Sequence, residues 1–298
     1  MPAIFNSNLV ENACAFGKEH KQMDLTRLIG FGVAGNFAGH LEQAGEASDF
    51  VNVKVKDAIQ PKAIFPFYVP HIENSFLNVF PVSHDHIQFP EGADNLQIEP
   101  EVCLICDIEY ENNQVKALMP RAFAAFNDCS IRRPGARKIS EKKNWGSASK
   151  GMSLQRIALD KFSSGGELDR YHIASFLRRN GECHAYGLDS PATEYSYFHE
   201  TLLNWVIDKM NHQQDEGPAE DIAALLKAAH YPQQAVISIG ATRYTPFGEQ
   251  NFLQPGDESI VVVYDARCHT PEQIRNMAVT GEFTGEGMSL LRQQVVAD

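Results

Sequence analysis

The stretch Ile98–Arg132 constrains this chain more than any other. It opens Ile98-Glu99-Pro100-Glu101, enters the apolar run Val102-Cys103-Leu104-Ile105-Cys106 and closes on Asn127-Asp128-Cys129-Ser130-Ile131-Arg132. Residues two apart on a β-strand share a face, so Glu99 and Glu101 project together. The residues that follow them read as a strand buried on at least one face. Two like charges entering such a strand repel each other and lose hydration, which demands compensation. A divalent cation with oxygen ligands is the usual compensator, and Asp128 is placed to be a third carboxylate. Three carboxylates converging on one point suit Mg2+ or Mn2+, with Ca2+ a further hard-cation alternative.

The 298 residues suffice for one large core or two modest ones, and 43% hydrophobic with 21% charged residues describes an ordinary soluble globular protein. Lys and Arg number 26 against 38 Asp and Glu, a formal net charge of −12. So acidic a surface repels phosphate backbones and anionic membranes, which argues against nucleic acid and membrane partners, although a local basic pocket can still hold a small anion. The first residues lack the basic start and apolar run of a signal peptide, and no stretch approaches the roughly 18 apolar residues of a membrane span. Scattered cysteines at 14, 103, 106, 129, 183 and 268 read as reduced thiols of a cytoplasmic protein. Cys103 and Cys106 form a lone CxxC inside a strand, where the two side chains face opposite sides.

Gly30, Gly32 and Gly35 satisfy GxGxxG, with Asp49 as a downstream acid. That is formally a dinucleotide fingerprint, and a nicotinamide-dependent oxidoreductase follows as one alternative. Yet the strand before it is short and no second βαβ unit follows. Residues 50–135 instead carry prolines between short extended pieces. Strands are expected at Ala63–Tyr68, Phe76–Phe80, Glu101–Tyr110 and Arg121–Phe126, with Glu111-Asn112-Asn113-Gln114 as a hairpin turn. Arg133–Lys143 is a basic loop, either solvated or attracting anions near a site. A short helix is expected around Leu25–Leu28. Another should start at Ser190-Pro191 and run through Tyr195, Phe198, Leu202, Val206 and Met210, and a third should follow Gly217-Pro218 and stop before Pro232. Ala235–Ile239 and Ser259–Tyr264 read as strands. The tail 270–298 reads as helix-prone, then glycine-rich, then helix-prone again. His84-Asp85-His86 lacks a third soft ligand and reads as surface histidines.

Several segments, in order over about residues 30–265, resemble the fumarylacetoacetate hydrolase (FAH) family. Asn36-Phe37-Ala38-Gly39-His40 resembles its N-Y-x-x-H segment, and Pro61–Pro66 the proline-rich strand after it. Ile98-Glu99-Pro100-Glu101 resembles the E-x-E metal strand, and Asn127–Arg132 resembles N-D-x-S-x-R. Asn144–Lys150 resembles the segment ending in the active-site lysine. Asn180-Gly181-Glu182 resembles N-G-E, and Gly240-Ala241-Thr242 with Leu253–Asp257 resembles G-T-P followed by L-x-x-G-D.

The resemblance implies an α+β, mostly β fold: a β-sandwich roll with peripheral helices, assembled as a homodimer. It implies a small N-terminal lobe or lid at 1–75, a metal-binding catalytic core at 76–270 and a tail at 271–298. Glu99, Glu101 and Asp128 would hold Mg2+ or Mn2+. Arg132 and Lys150 would be catalytic, neutralising a substrate carboxylate or developing enolate, and with Thr242 would bind a small anionic substrate. His40, on the lid, would be catalytic with Glu42, because the family's acid three residues after the histidine is here Gln43. The implied chemistry is hydrolysis or lysis of a small 2-oxo or β-diketo acid through a metal-stabilised enolate. The alternative is a divergent relative that binds metal or ligand without turnover.

Overall fold

The computed structural model describes residues 24, 27–50, 57, 59–133 and 135–297. Cys14, residues 25 and 26 of the expected helix at 25–28 and the side chain of Asp49 lie outside them, while Leu28 of that expected helix opens a strand. The strands, in chain order, begin with β1 (Leu28–Ala34), β2 (Ala63–Tyr68), β3 (Val82–Ser83), β4 (His86–Gln88) and β5 (Leu96–Gln97). A long hairpin follows, β6 (Pro100–Glu111) with β7 (Gln114–Asn127), then β8 (Ser130–Ile131), β9 (Lys150–Met152) and β10 (Ile157–Ala158). The remainder are β11 (Tyr171–Arg179), β12 (Glu182–Pro191), β13 (Gln234–Ser238), β14 (Glu258–Asp265) and β15 (Met288–Val296). Helices are α1 (His40–Gln43), α2 (His199–His212), α3 (Ile222–Ala228), α4 (Pro246–Gln250) and α5 (Pro271–Thr280).

One sheet runs β2-β1-β13-β6-β7-β9-β3, with β10 paired to β7; a second runs β12-β11-β14-β15-β4, and β5 pairs with β8. This is the expected mostly β, α+β class. Alternation along β6 explains why the two sheets stack. Val102, Leu104 and Cys106 join a core that includes Val261 and Val263 of β14 and Leu291 of β15. Cys103 faces the other way, among Phe67, Phe126 and Val236. The CxxC therefore straddles a sheet, and both thiols are fully buried. The outer face of the second sheet, with Ala174, Phe176, Ile260 and Val262, is covered by Ile274 and Ala278 of α5. The first sheet is continuous across position 75, because β1, with β2 outside it, pairs with β13, which in turn pairs with β6.

The β6–β7 hairpin sets the geometry of everything near Glu99. Asn112 and Asn113 both adopt positive φ, 52° and 64°, as the two-residue turn between strands requires. Two register shifts, at Ile105/Cys106 and Glu109/Tyr110, then let β7 gain one residue each on β6. The pairing becomes Pro100 opposite Asn127, so Glu99 faces Asp128, whose amide donates to the Glu99 carbonyl at 3.0 Å. Without the two bulges Phe126 would stand there.

Several expectations need correction. Phe76–Asn78 is a 3₁₀ turn rather than a strand, and the Ser75 side chain caps it. Ser190-Pro191 does not start the α-helix: β12 carries through to Pro191, a single 3₁₀ turn spans Ala192–Glu194, and α2 begins at His199. The C-terminal segment is a helix followed by a strand, β15, whose buried residues alternate. Gly30 and Gly32 are strand residues, and a Cβ on them would sit 2.1 Å from the Phe67 ring and 2.2 Å from the Phe65 ring. They are glycines because two phenyl rings lie flat across β1. The helix that follows, α1, spans four residues, too short to offer a pyrophosphate a helix N-terminus.

This account predicts that Gly32→Val destabilises the fold by about 1–3 kcal/mol through overpacking. Urea denaturation checks it: the double variant with Phe65→Leu recovers part of the loss, whereas an unchanged midpoint in the single variant contradicts the packing role.

Candidate metal centre

The hairpin register brings the Glu99, Glu101 and Asp128 carboxylates together, with one ligand oxygen from each lying within 4.8 Å of the others. All three are buried, at 4%, 2% and 0% exposure. Glu101 Oε2 accepts the Gly240 amide at 2.8 Å. Asn127 fixes the strand ends by accepting the Glu99 amide at 3.1 Å and donating to Gln293 Oε1 at 3.1 Å.

Buried carboxylates need countercharges, and they come from three places. Arg132 Nη1 lies 2.8 Å from Glu99 Oε1 and 2.9 Å from Glu46 Oε1, while Nη2 donates to the Tyr244 hydroxyl at 2.8 Å. Lys150 Nζ lies 3.2 Å from Asp128 Oδ1, donates to the Cys129 carbonyl and sits 5.4 Å over the Trp145 ring. Lys143 is the third source. Its Nζ donates to Glu99 Oε2 at 2.7 Å and to Asp128 Oδ2 at 2.6 Å, bridging two members of the acidic cluster. Lys142 Nζ completes the set 2.8 Å from Glu46 Oε1.

These neighbours split the carboxylates electrically. Burial alone would raise Glu99, but Lys143 and Arg132 outweigh it and hold Glu99 below its ordinary range. Burial, with Asp128 and Glu99 alongside, pushes Glu101 well above that range. Asp128 is also raised, chiefly by burial, against the pull of Lys143 and Lys150. Burial lowers Lys150. Glu46 falls to about 2, because Arg132, Lys143 and Lys142 together override its desolvation.

His40 is buried within reach of this cluster. Its Nδ1 lies 2.9 Å from the Thr242 carbonyl, an acceptor only, so Nδ1 carries the proton and Nε2 is the bare nitrogen. Burial, the largest influence, pushes His40 down to about 4 against the opposing charges of Glu99 and Glu46. The backbone around it is pinned. Asn36 donates to the Ile239 carbonyl at 2.8 Å, and Gln43 exchanges hydrogen bonds with both backbone groups of Tyr244, at 3.2 and 2.9 Å.

The sequence-predicted residues thus separate. Glu99, Glu101, Asp128, Arg132 and Lys150 are brought together. Thr242 touches His40 through its carbonyl, and its buried hydroxyl has no hydrogen-bond partner. Glu42 is exposed and does not line the cavity. Besides Glu99, the buried acid near His40 is Glu46, which sequence reasoning missed along with Lys142, Lys143 and Tyr244. His84, Asp85 and His86 form an exposed ion-paired surface group, as expected. Of the basic loop, Lys138 bonds Asp215 and two carbonyls, while Lys142 and Lys143 turn inward.

His40, Glu46, Glu99, Glu101, Asp128 and Lys143 line a cavity of about 20 Å³. That volume admits one ion or a water and no organic substrate. The donor set fits a hard divalent cation on one specific ground. Glu99 Oε1 and Asp128 Oδ1 are buried without a hydrogen bond, the nearby Arg132 and Lys150 lying off hydrogen-bonding geometry.

Among curated proteins none matches this sequence. Among solved structures, 2-keto-3-deoxyarabinonate dehydratase is similar at a TM-score of 0.51 and 13% identity, covering 91% of this chain and 73% of that one. A Mycobacterium smegmatis protein assigned as HpcE gives 0.51 and 17%, covering 90% and 74%. At such identities the likeness is one of fold. No helix of the described residues is long and apolar enough to cross a membrane. A family model described as a family of unknown function (DUF5718) matches residues 46–295, and the chain belongs to that family.

Proposed function

We propose that the protein is an enzyme of the fumarylacetoacetate hydrolase type, a divalent-metal-dependent hydrolase or lyase acting on a small 2-oxo or β-diketo acid. The carrying observation is the buried Glu99–Glu101–Asp128 cluster, whose ligand oxygens lie within 4.8 Å of one another and in which Glu99 Oε1 and Asp128 Oδ1 have ion-pair contacts but no hydrogen bond. The ordered motifs from Asn36 to Asp257 support the same reading, as does the shared fold with a 2-keto-3-deoxyarabinonate dehydratase. Mg2+ or Mn2+ suits the all-oxygen donor set, and a cation held by these three carboxylates would supply Lewis-acid polarisation of adjacent substrate oxygens.

The rest of the work falls to the chain. Arg132, anchored on Glu46 and Tyr244, presents a guanidinium that cannot lose its charge to the anionic end of a substrate. Lys150 adds a second positive group, and the Thr242 hydroxyl offers a free hydrogen-bonding group beside His40. His40 is the general base: it is uncharged at neutral pH, with Nε2 bare and its tautomer fixed by Thr242. Glu99 and Arg132, with Glu46 rather than Glu42 behind them, set the field around it. The segment carrying His40 and Glu46, within the 1–75 lobe, moves aside to admit substrate, because a cavity of about 20 Å³ has no room for one. Assembly as a cytoplasmic homodimer belongs to the same proposal. One observation favours a second reading, ligand binding without turnover: a backbone carbonyl, not a carboxylate, orients His40. A panel of acylpyruvates, oxaloacetate and 2-hydroxydienoates separates the two, since a blank with metal bound selects the binding protein.

Two outcomes follow. Calorimetry should detect Mg2+ or Mn2+ binding, and Asp128→Asn should weaken it by at least on the order of 100-fold; undiminished binding in that variant sinks the assignment. The second concerns pH. His40 ordinarily titrates near 6.5 and in the fold near 4, so between those values the unfolded chain binds more protons and stability is lost as pH falls. The loss reaches about 3 kcal/mol, from 1.36 kcal/mol per pH unit. Urea midpoints at pH 7.5, 6 and 5 should fall in that order, and His40→Gln should flatten the decline. An equal decline in the variant contradicts the buried neutral imidazole.

A further inference from the structure

The basic loop before Asn144 ends in a cation that the proposed chemistry does not use. Lys143 Nζ lies 2.7 Å from Glu99 Oε2 and 2.6 Å from Asp128 Oδ2. Its side chain is 3% exposed, and the ammonium stands 5.1 Å over the Phe65 ring. An ammonium that bridges two of three carboxylates whose ligand oxygens lie within 4.8 Å stands where a cation would stand.

The charges gathered there are already matched. Glu46, Glu99 and Asp128 are ion-paired with Arg132, Lys142, Lys143 and Lys150, while Glu101 takes the Gly240 amide instead of a cation. Adding a doubly charged ion with Lys143 in place would leave unbalanced positive charge in a buried site and set two cations against each other at ligand distance. The backbone on either side of Lys143 is tied. Lys138 is held by Asp215 and by the Gly217 and Ala219 carbonyls, and Asn144 donates to the Phe67 and Val79 carbonyls at 2.8 and 3.0 Å. A long flexible side chain between two fixed points can swing away while the loop stays.

We propose that Lys143 is a tethered internal cation that holds the metal position between Glu99 and Asp128 and competes with the divalent ion for it. The metal-free enzyme then keeps its carboxylates neutralised and its fold closed, and metal affinity is set by the displacement of Lys143. The inference rests on the metal reading of the acidic cluster.

Titration of the full chain with Mn2+ alone, read as loss of the free-ion electron paramagnetic resonance signal, tests it. Lys143→Gln should bind Mn2+ about ten-fold or more tightly than wild type, because the competing charge is gone, while Lys143→Arg gains nothing. A Lys143→Gln chain that folds only with Mn2+ present, by circular dichroism, also supports the proposal. Equal affinity in wild type and Lys143→Gln overturns it and leaves the metal site standing. A Lys143→Gln chain that stays unfolded even with Mn2+ overturns it too, since the ion then cannot take the ammonium's place. If neither protein binds Mn2+, this inference and the metal-dependent function fall together.

Discussion

Bringing three carboxylates to one buried point is the constraint on which this structure depends. Removing a single carboxylate from water costs several kcal/mol even after relaxation, and mutual repulsion adds to that. The β6–β7 hairpin creates the problem, since its two bulges set Asp128 opposite Glu99. The loops around it then supply the answer. Arg132 follows β8 and Lys150 opens β9, while Lys142 and Lys143 come from the 3₁₀ turn Ile139–Lys142 and the residue after it. Each ammonium or guanidinium is itself buried, so none is stable there without the acids. The two halves of the cluster require each other.

That mutual dependence ties the N-terminal segment to the site. Glu46 is the acid that Arg132 and Lys142 share, and it lies shortly after α1, whose first residue is His40. The Gln43–Tyr244 pair and the Asn36 amide hold the same segment against the residues after β13. Behind it, Gly30 and Gly32 let Phe67 and Phe65 close over β1, and Phe65 in turn lies under the Lys143 ammonium. These contacts leave a cavity of only about 20 Å³ beside His40.

What could be read from the sequence was whatever depended on short spacing. Glu99, Glu101 and Asp128 announced themselves because a period of two and one hairpin separate them. The strands β2, β6, β13 and β14 were legible because their apolar runs end at clear turns. Lys143, Glu46 and Tyr244 were not legible, because contacts such as Lys143 with Glu99 or Arg132 with Tyr244 span 44 and 112 residues. Glu42 was singled out because the family's acid, three residues after the histidine, is here Gln43, but Glu42 is exposed and Glu46, beyond the turn after α1, is the one buried. Ser190-Pro191 resembled a helix start, but pairing with β11 extends the strand through it. In β15, Leu, Arg and Gln favour a helix in isolation; pairing with β14 and β4 overrides that preference, and the alternation of its buried residues was the overlooked signal.

The central claim is that the acidic cluster is a cation site whose occupant can change. Anomalous diffraction at the manganese edge, from crystals soaked in Mn2+, addresses it directly. The account predicts one manganese peak in contact with Glu99, Glu101 and Asp128, with the Lys143 ammonium moved out from between the carboxylates. An empty cluster with Lys143 still bridging Glu99 and Asp128 would contradict it.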